Sequence, residues 1–150
     1  MQITTTTKSV LDRIVTALQK SGRAAALSFF LKVAPVPASR PRVTRWGTYY
    51  GKKYTQFRAD AGFELSNMTF DKLEGPCVVV IDIVVQRPKT SKLDAPRGDV
   101  DNYLKAIMDS MTKADVWKDD DQVVLVSATK RFAADGEEPG FNIRVFPLGE

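Results

Sequence analysis

Residues 77–86, CVVVIDIVVQ, constrain the fold more than any other stretch. A near-continuous β-branched run of this length has no polar side to turn toward water, so it reads as a central strand of a sheet. Cys77 opens the run as a small buried thiol. It is the only cysteine, which leaves no disulfide partner and no thiolate metal site. Asp82 interrupts the run and faces away from Ile81 and Ile83; an acid so placed more often meets a lysine or arginine than a metal.

The segments around this strand fall into alternating patterns. Ser9 caps a helix in which Val10, Leu11, Ile14, Val15 and Leu18 share a face, ending near Ser21-Gly22. Residues 25–33 read as a first strand. The following APVPASRPR runs extended as a loop, because its prolines lack a backbone donor and restrict the residues before them. VTRWGTYYGKKY folds back as a hairpin around Gly47, and Tyr54, Phe57, Ala61, Leu65 and Met68 give a helix over roughly 53–69. After the central strand come the polar loop RPKTSKLDAPRG and a helix from Asp101 to Ala114 with Leu104, Ile107, Met108 and Met111 inward. QVVLVSATKRF and FNIRVFP are two further strands, separated by the turn-rich AADGEEPG.

This order predicts an α+β (mixed α/β) fold: a single small domain with a mixed β-sheet of four to five strands and helices packed on it. Residues 1–26 form an accessory N-terminal helix extension, and 27–150 the main domain. No apolar run approaches a bilayer span, and MQITTTTKSVLDRIV lacks the basic start and apolar core of a secretion signal. An intracellular, cytoplasmic protein is expected.

Histidine is absent, which removes the usual triad base and imidazole metal sites and leaves carboxylates, lysine or a metal for any chemistry. Charge is unevenly divided. Residues 1–60 carry eleven Lys/Arg against two acids, while residues 61–150 carry eleven against sixteen. A basic region beside an acidic one suggests a polyanionic partner, with cations needed where the acids gather.

The acids gather in RGDVDNYLKAIMDSMTKADVWKDDDQVVLV, where seven aspartates between Asp99 and Asp121 meet three lysines. Asp99 and Asp101 flank Val100 where the helix begins, and Asp101, Lys105 and Asp109 follow at i, i+4 and i+8 along one row. Asp119, Asp120 and Asp121 arrive after the helix, where a loop can return them toward the first pair. Converging carboxylates repel, and Mg²⁺, a hard cation that takes oxygen ligands and shares them with phosphate, is their natural compensation. Such a site beside a basic surface suits phosphodiester hydrolysis, with Lys105 holding the phosphate, stabilising transition-state charge or orienting a carboxylate. The plainer alternative is that Asp99 or Asp101 caps the helix and DDDQ is a solvated turn. An EF-hand is unlike DVWKDDDQVVLV, which lacks the central glycine and closing glutamate.

RGDVDNYLKAIMDSM, then VWKDDDQV, with PVPASRPRVTRWGTYY far upstream, resembles the RusA-type Holliday junction resolvases, small bacterial and prophage endonucleases, over about residues 27–146. The most specific part is Asp-x-Asp-Asn-x-x-Lys-x-x-x-Asp followed by a second acidic cluster. The resemblance implies a homodimer that binds four-way DNA junctions and uses Mg²⁺ to cut two strands of like polarity. By matching positions, Asp99, Asp101 and Asp120 are the metal-binding acids and Lys105 the catalytic lysine. Asp119 is the rival third acid, Asp109 an additional acid behind the ligands, and Asn102 a support for the helix start. DNA contacts are expected from Arg40, Arg42, Arg45, Lys52, Lys53 and Arg97. Trp46, Tyr49 and Tyr50 interleave with these, and packing within the core or hairpin is the first expectation for them, stacking on bases the second. The alternatives to a junction resolvase are a nuclease acting on forks or other branched DNA, or a non-catalytic DNA-binding protein of this fold.

Overall fold

The strand expected at the centre, β4 (Cys77–Val85), is buried along almost its whole length in the computed structural model, which describes residues 12, 13, 15–20 and 25–148. Its neighbours are β5 (Val123–Phe132), parallel to it, and β6 (Gly140–Pro147), antiparallel; β1 (Leu27–Leu31) completes the sheet beyond β6. The order is β1-β6-β4-β5. A separate two-stranded hairpin, β2 (Arg42–Thr44) and β3 (Gly47–Tyr49), stands outside the sheet. The described helices are α1 (residues 12, 13 and 15–20), α2 (Lys52–Ser66) and α3 (Val100–Lys113). This is the expected α+β domain with a four-stranded mixed sheet.

The two faces of β4 explain its unbroken apolar sequence. Val79, Ile81 and Ile83 point to the side covered by α2 and α3, where Phe57, Leu65, Ile107 and Met111 close the main core with Phe141 and Ile143. Val78 and Val80 point to the other side and pack with Phe146 against Val15 and Leu18 of α1. Each Val or Ile so buried contributes about 1.5–3 kcal/mol. The N-terminal helix therefore covers the sheet's second face; Ser9, Val10, Leu11, Ile14 and the expected end at Ser21-Gly22 lie outside the described residues.

Asp82 sits on that second face in a network built by strand register. Its carboxylate accepts from Arg131 Nη2 at 3.0 Å, Asn142 Nδ2 at 3.2 Å and Thr129 Oγ1 at 3.3 Å. Arg131 also grips Glu137 with both terminal nitrogens at 2.6 and 2.7 Å. Asp82 thus meets an arginine, as expected of an acid in an apolar strand.

Several boundaries differ from the sequence expectation. The first strand is five residues long rather than nine: its pairing with β6 runs only from Leu27 to Leu31, after which the chain turns and Val33 N–H bonds back to the Leu31 carbonyl at 3.0 Å. On α3, Leu104 is half-buried, whereas Tyr103 and Ala106 fill the interface. The helix is rotated slightly relative to the pattern read from its large aliphatic residues.

Candidate active site

β4 leads through a long polar loop into α3, and α3 leads back to β5, so both acidic clusters belong to one β-α-β crossover. The entry to α3 is held from three sides. Lys130 of β5 donates from Nζ to the carbonyls of Pro96 at 2.8 Å and Gly98 at 2.6 Å. Tyr103 Oη donates to the Arg97 carbonyl at 2.8 Å, and Ala38 of the proline segment donates its N–H to the Asn102 carbonyl at 2.9 Å. Gly98 has φ +91°, and a Cβ there would lie 3.1 Å from the Tyr103 ring and 3.3 Å from Pro37 Cγ. Only glycine takes that backbone conformation in that space without strain.

This turn presents Asp99 as the N-cap residue of α3. The first-turn N–H groups of Asn102 and Tyr103 bond to its carbonyl oxygen, and its side chain makes no capping bond. Asp99 thus takes the N-cap position without a side-chain capping bond, and Asp101 stands in the first turn, where its charge meets the helix dipole favourably. Asp99 and Asp101 are both exposed.

Along the helix, Lys105 and Asp109 line a cavity of about 220 Å³ together with Asn102, Arg40, Tyr50 and Tyr54. Asp109 also borders a larger cavity of about 460 Å³ between α2 and α3, which includes Arg58 and Lys113. Asp101 and Asp109 are about 12 Å apart along the axis, with Lys105 midway.

The far end of α3 is reversed by residue Asp115, whose φ is +61°. Val116 N–H bonds to the Met111 carbonyl at 3.1 Å and Asp115 N–H to Thr112 at 3.1 Å, the paired bonds of a Schellman end. The turn drives Val116 and Trp117 into the core, where Trp117 Nε1 donates to Thr112 Oγ1 at 2.7 Å. The chain must then re-emerge, bringing Asp119–Asp121 to the surface. Gln122 fixes them there. Its Oε1 accepts from the N–H of Lys118 at 2.8 Å and Asp119 at 3.3 Å, while its Nε2 donates to the carbonyls of Leu73 at 2.9 Å and Gly75 at 3.0 Å. Asp120 begins the short 3-10 turn Asp120–Gln122.

Electrostatics tie this turn to the helix. A side-chain hydrogen bond shared with Asp119 raises the Asp120 pKa, and desolvation and the charges of Asp119, Asp109 and Asp121 push it further up. Burial raises the Tyr54 hydroxyl, and the charge of Asp109 adds to it. Among the described residues no lysine or arginine forms an ion pair with Asp99, Asp101, Asp109, Asp119, Asp120 or Asp121. Nor are any three acidic side chains among them grouped closely enough to hold a metal ion. Asp120 is brought to Asp119 and Asp109, while Asp99 and Asp101 lie toward the other end of the row. Exposed carboxylates without protein counter-charges are a donor set whose chemistry fits a hard divalent cation.

The basic residues surround this region unequally. Arg40 is in the cavity wall beside Lys105. Arg42 and Arg45 are exposed on the β2–β3 hairpin, and Lys52 and Lys53 are exposed at the N-terminus of α2. Arg97 borders a different cavity, of about 580 Å³, with Lys92, Pro96 and Tyr103. Tyr49 packs within the hairpin through its hydroxyl and Tyr50 edge-on against Tyr54 at 5.3 Å, as first expected, whereas Trp46 is left exposed at the hairpin tip.

Three residues that hold the site escaped the sequence reading. Lys130 lies inside a strand and carries no local signal. Arg58, stacked over Tyr50 at 5.0 Å and Tyr54 at 5.8 Å, looks like any surface charge of a helix. Gln122 was legible, since Asp119-x-x-Gln122 is a capping-box spacing.

A small mixed sheet thus carries on its crossover helix a lysine between two carboxylates, with Arg40 in the same cavity wall. The particular family follows from comparison: the family model described as endodeoxyribonuclease RusA matches residues 32–145 of the 150. The chain belongs to the RusA endodeoxyribonuclease family. No curated protein matches it. Among the described residues, no helix is long and apolar enough to cross a membrane.

Proposed function

We propose that this protein is a Mg²⁺-dependent endonuclease that resolves four-way DNA junctions inside the cell, acting as a homodimer with one site per subunit and paired cuts. The observation that carries the reading is the single row on α3, in which Lys105 shares a cavity with Asp109 and Arg40 while uncompensated acids stand at the helix entry and on the returning turn. Asp99 and Asp101 at the helix entry, with Asp120 on the returning turn, would hold the metal. When bound, Mg²⁺ supplies Lewis acidity at the phosphodiester and a more acidic water.

The protein's own groups do the rest. Lys105 places an ammonium against a non-bridging oxygen of the scissile phosphate and offsets the charge that builds there. Asp109 and Asp119 keep the region acidic around Asp120, which favours cation uptake. Arg40, Arg42, Arg45 and Arg97 meet backbone phosphates. Lys52 and Lys53 add two cations to the positive end of the α2 dipole, an arrangement unfavourable for the isolated helix and favourable for a bound phosphate.

The test is cleavage of a synthetic four-way junction beside a fork and a linear duplex of the same sequence, with and without Mg²⁺. Symmetrical paired nicks confined to the junction and dependent on Mg²⁺ support the proposal. Preferential fork cutting retains the chemistry and replaces the substrate, and metal-independent binding without cutting makes this a non-catalytic member of the family.

A further inference from the structure

The β2–β3 hairpin has no role in the fold that accounts for its side chains. It pairs with no strand of the main sheet, and all eight of residues 42–49 are exposed. Val43 and Trp46 are each 76% exposed and Tyr49 53%. A tryptophan held in water at a hairpin tip loses the burial that normally favours it.

The tip is nonetheless built to hold one shape. Thr44 Oγ1 accepts from the Trp46 N–H and donates to the Gly47 carbonyl, both at 3.2 Å. Tyr49 Oη donates to the Trp46 carbonyl at 3.2 Å. Arg45 lies over one face of the indole, 4.8 Å from the ring centroid, which leaves the opposite face for a second flat group.

Position and charge identify that group. The hairpin springs from the wall of the Lys105 cavity: Pro41, just before β2, and Tyr50, just after β3, both line it. Five extended residues from Pro41 carry Trp46 on the order of 15 Å from that wall. At about 3.4 Å per nucleotide, this spans four or five nucleotides of one strand. From residue 13 to residue 59 the chain contains no acidic residue, so the hairpin's surroundings favour a polyanion. In an intact duplex both faces of every base are stacked, whereas a branch point exposes base faces within reach of the cut. Stacking on an aromatic ring tolerates any base, because each has a π-face.

We propose that Trp46 is a base-stacking residue that receives an unstacked nucleobase at the branch point, between the indole and the DNA strand leaving the site, and so contributes to selecting branched over linear DNA. This inference rests on the branched-DNA reading above.

The chain has two tryptophans, and the second, Trp117, is fully buried, so the two emit separably. The experiment titrates the full-length protein with a four-way junction and with linear duplex, in the absence of divalent cation so that nothing is cut. Wild type, Trp46→Ala and Trp46→Phe are followed by tryptophan emission and by binding anisotropy. The expected result is quenching of the red-shifted, exposed component by the junction but not by the duplex. Junction affinity should fall about five- to tenfold or more in Trp46→Ala, with duplex affinity unchanged and Trp46→Phe between the two. Equal junction affinity in wild type and Trp46→Ala overturns the inference, as does equal quenching by duplex. Failure of the parent reading looks different: wild type itself then shows no preference for the junction, whatever the variants do, and both proposals fall. Circular dichroism and Tm should match wild type for both variants, the side chain being outside the core.

Discussion

Gln122→Ala removes a side chain that makes four hydrogen bonds, two accepted from the backbone before Asp120 and two donated to the segment at Leu73 and Gly75. Only the bond to Leu73 is partly buried; the others join exposed groups that water can satisfy once the amide is gone. At about 0.5–1.5 kcal/mol net per bond, with most of that recovered from solvent, the expected loss is about 1–2 kcal/mol. For a chain of this size that lowers Tm by roughly 2–8 °C. The larger effect is local: Asp119, Asp120 and Asp121 lose the tether that holds their turn to the rest of the molecule. Since misplacement by about 1 Å can cost a factor of ~100, single-turnover cleavage should fall by about tenfold or more, with junction affinity retained. Gln122→Glu keeps the accepting oxygen but turns a carboxylate toward two carbonyls, and should be no more stable than the alanine variant. Urea unfolding and cleavage under saturating enzyme measure both effects. A Tm within about 1 °C of wild type refutes the tether, and lowered stability with unchanged cleavage at 25 °C refutes its role in placing the acids.

Lys130→Met should reduce cleavage about tenfold or more, because the carbonyls of Pro96 and Gly98 lose the ammonium that fixes the turn before Asp99. An unaltered rate shows that Asp99 is positioned without it. Asp82→Asn, by contrast, should lower stability by about 1–3 kcal/mol through its half-buried Arg131 pair and leave the cleavage rate at 25 °C unchanged; loss of activity in the folded variant would place Asp82 in the chemistry. For Asp120 the sign follows from a raised pKa. The protonated, hydrogen-bonded form is stabilising below its ordinary value of 3.8, and this contribution is lost as pH rises through the raised value. Without divalent cation at pH 7, Asp120→Asn should therefore raise Tm slightly, and the gain should vanish below pH 3.8. A lower Tm for the variant at pH 7 would contradict the repulsion.

The sheet was legible where one residue class dominates. β4 reads as central because its apolar run has no polar side, and α2 because Tyr54, Phe57, Ala61 and Leu65 recur at its period. The face of α3 was read from large aliphatic side chains, so Tyr103 was missed, although its ring packs inward while its hydroxyl holds the Arg97 carbonyl. The candidate acids and Lys105 came from spacing and from family resemblance together. What spacing did not supply was their partition. A Schellman end at Asp115 and a buried Trp117 return the second cluster beside Asp109, a consequence of packing that no local pattern encodes. Lys130 contacts residues 32 and 34 positions away, which a reading of neighbours along the chain does not reach.

The acids at the start of α3 are proposed to serve DNA cleavage with a divalent cation. The most direct test is single-turnover cleavage of an end-labelled four-way junction in Mg²⁺ by wild type and Asp101→Asn, with junction affinity measured for both proteins. Wild type should cut and the variant should lose about 100-fold or more, at unchanged affinity. Asp101→Asn cleaving at the wild-type rate would contradict that role.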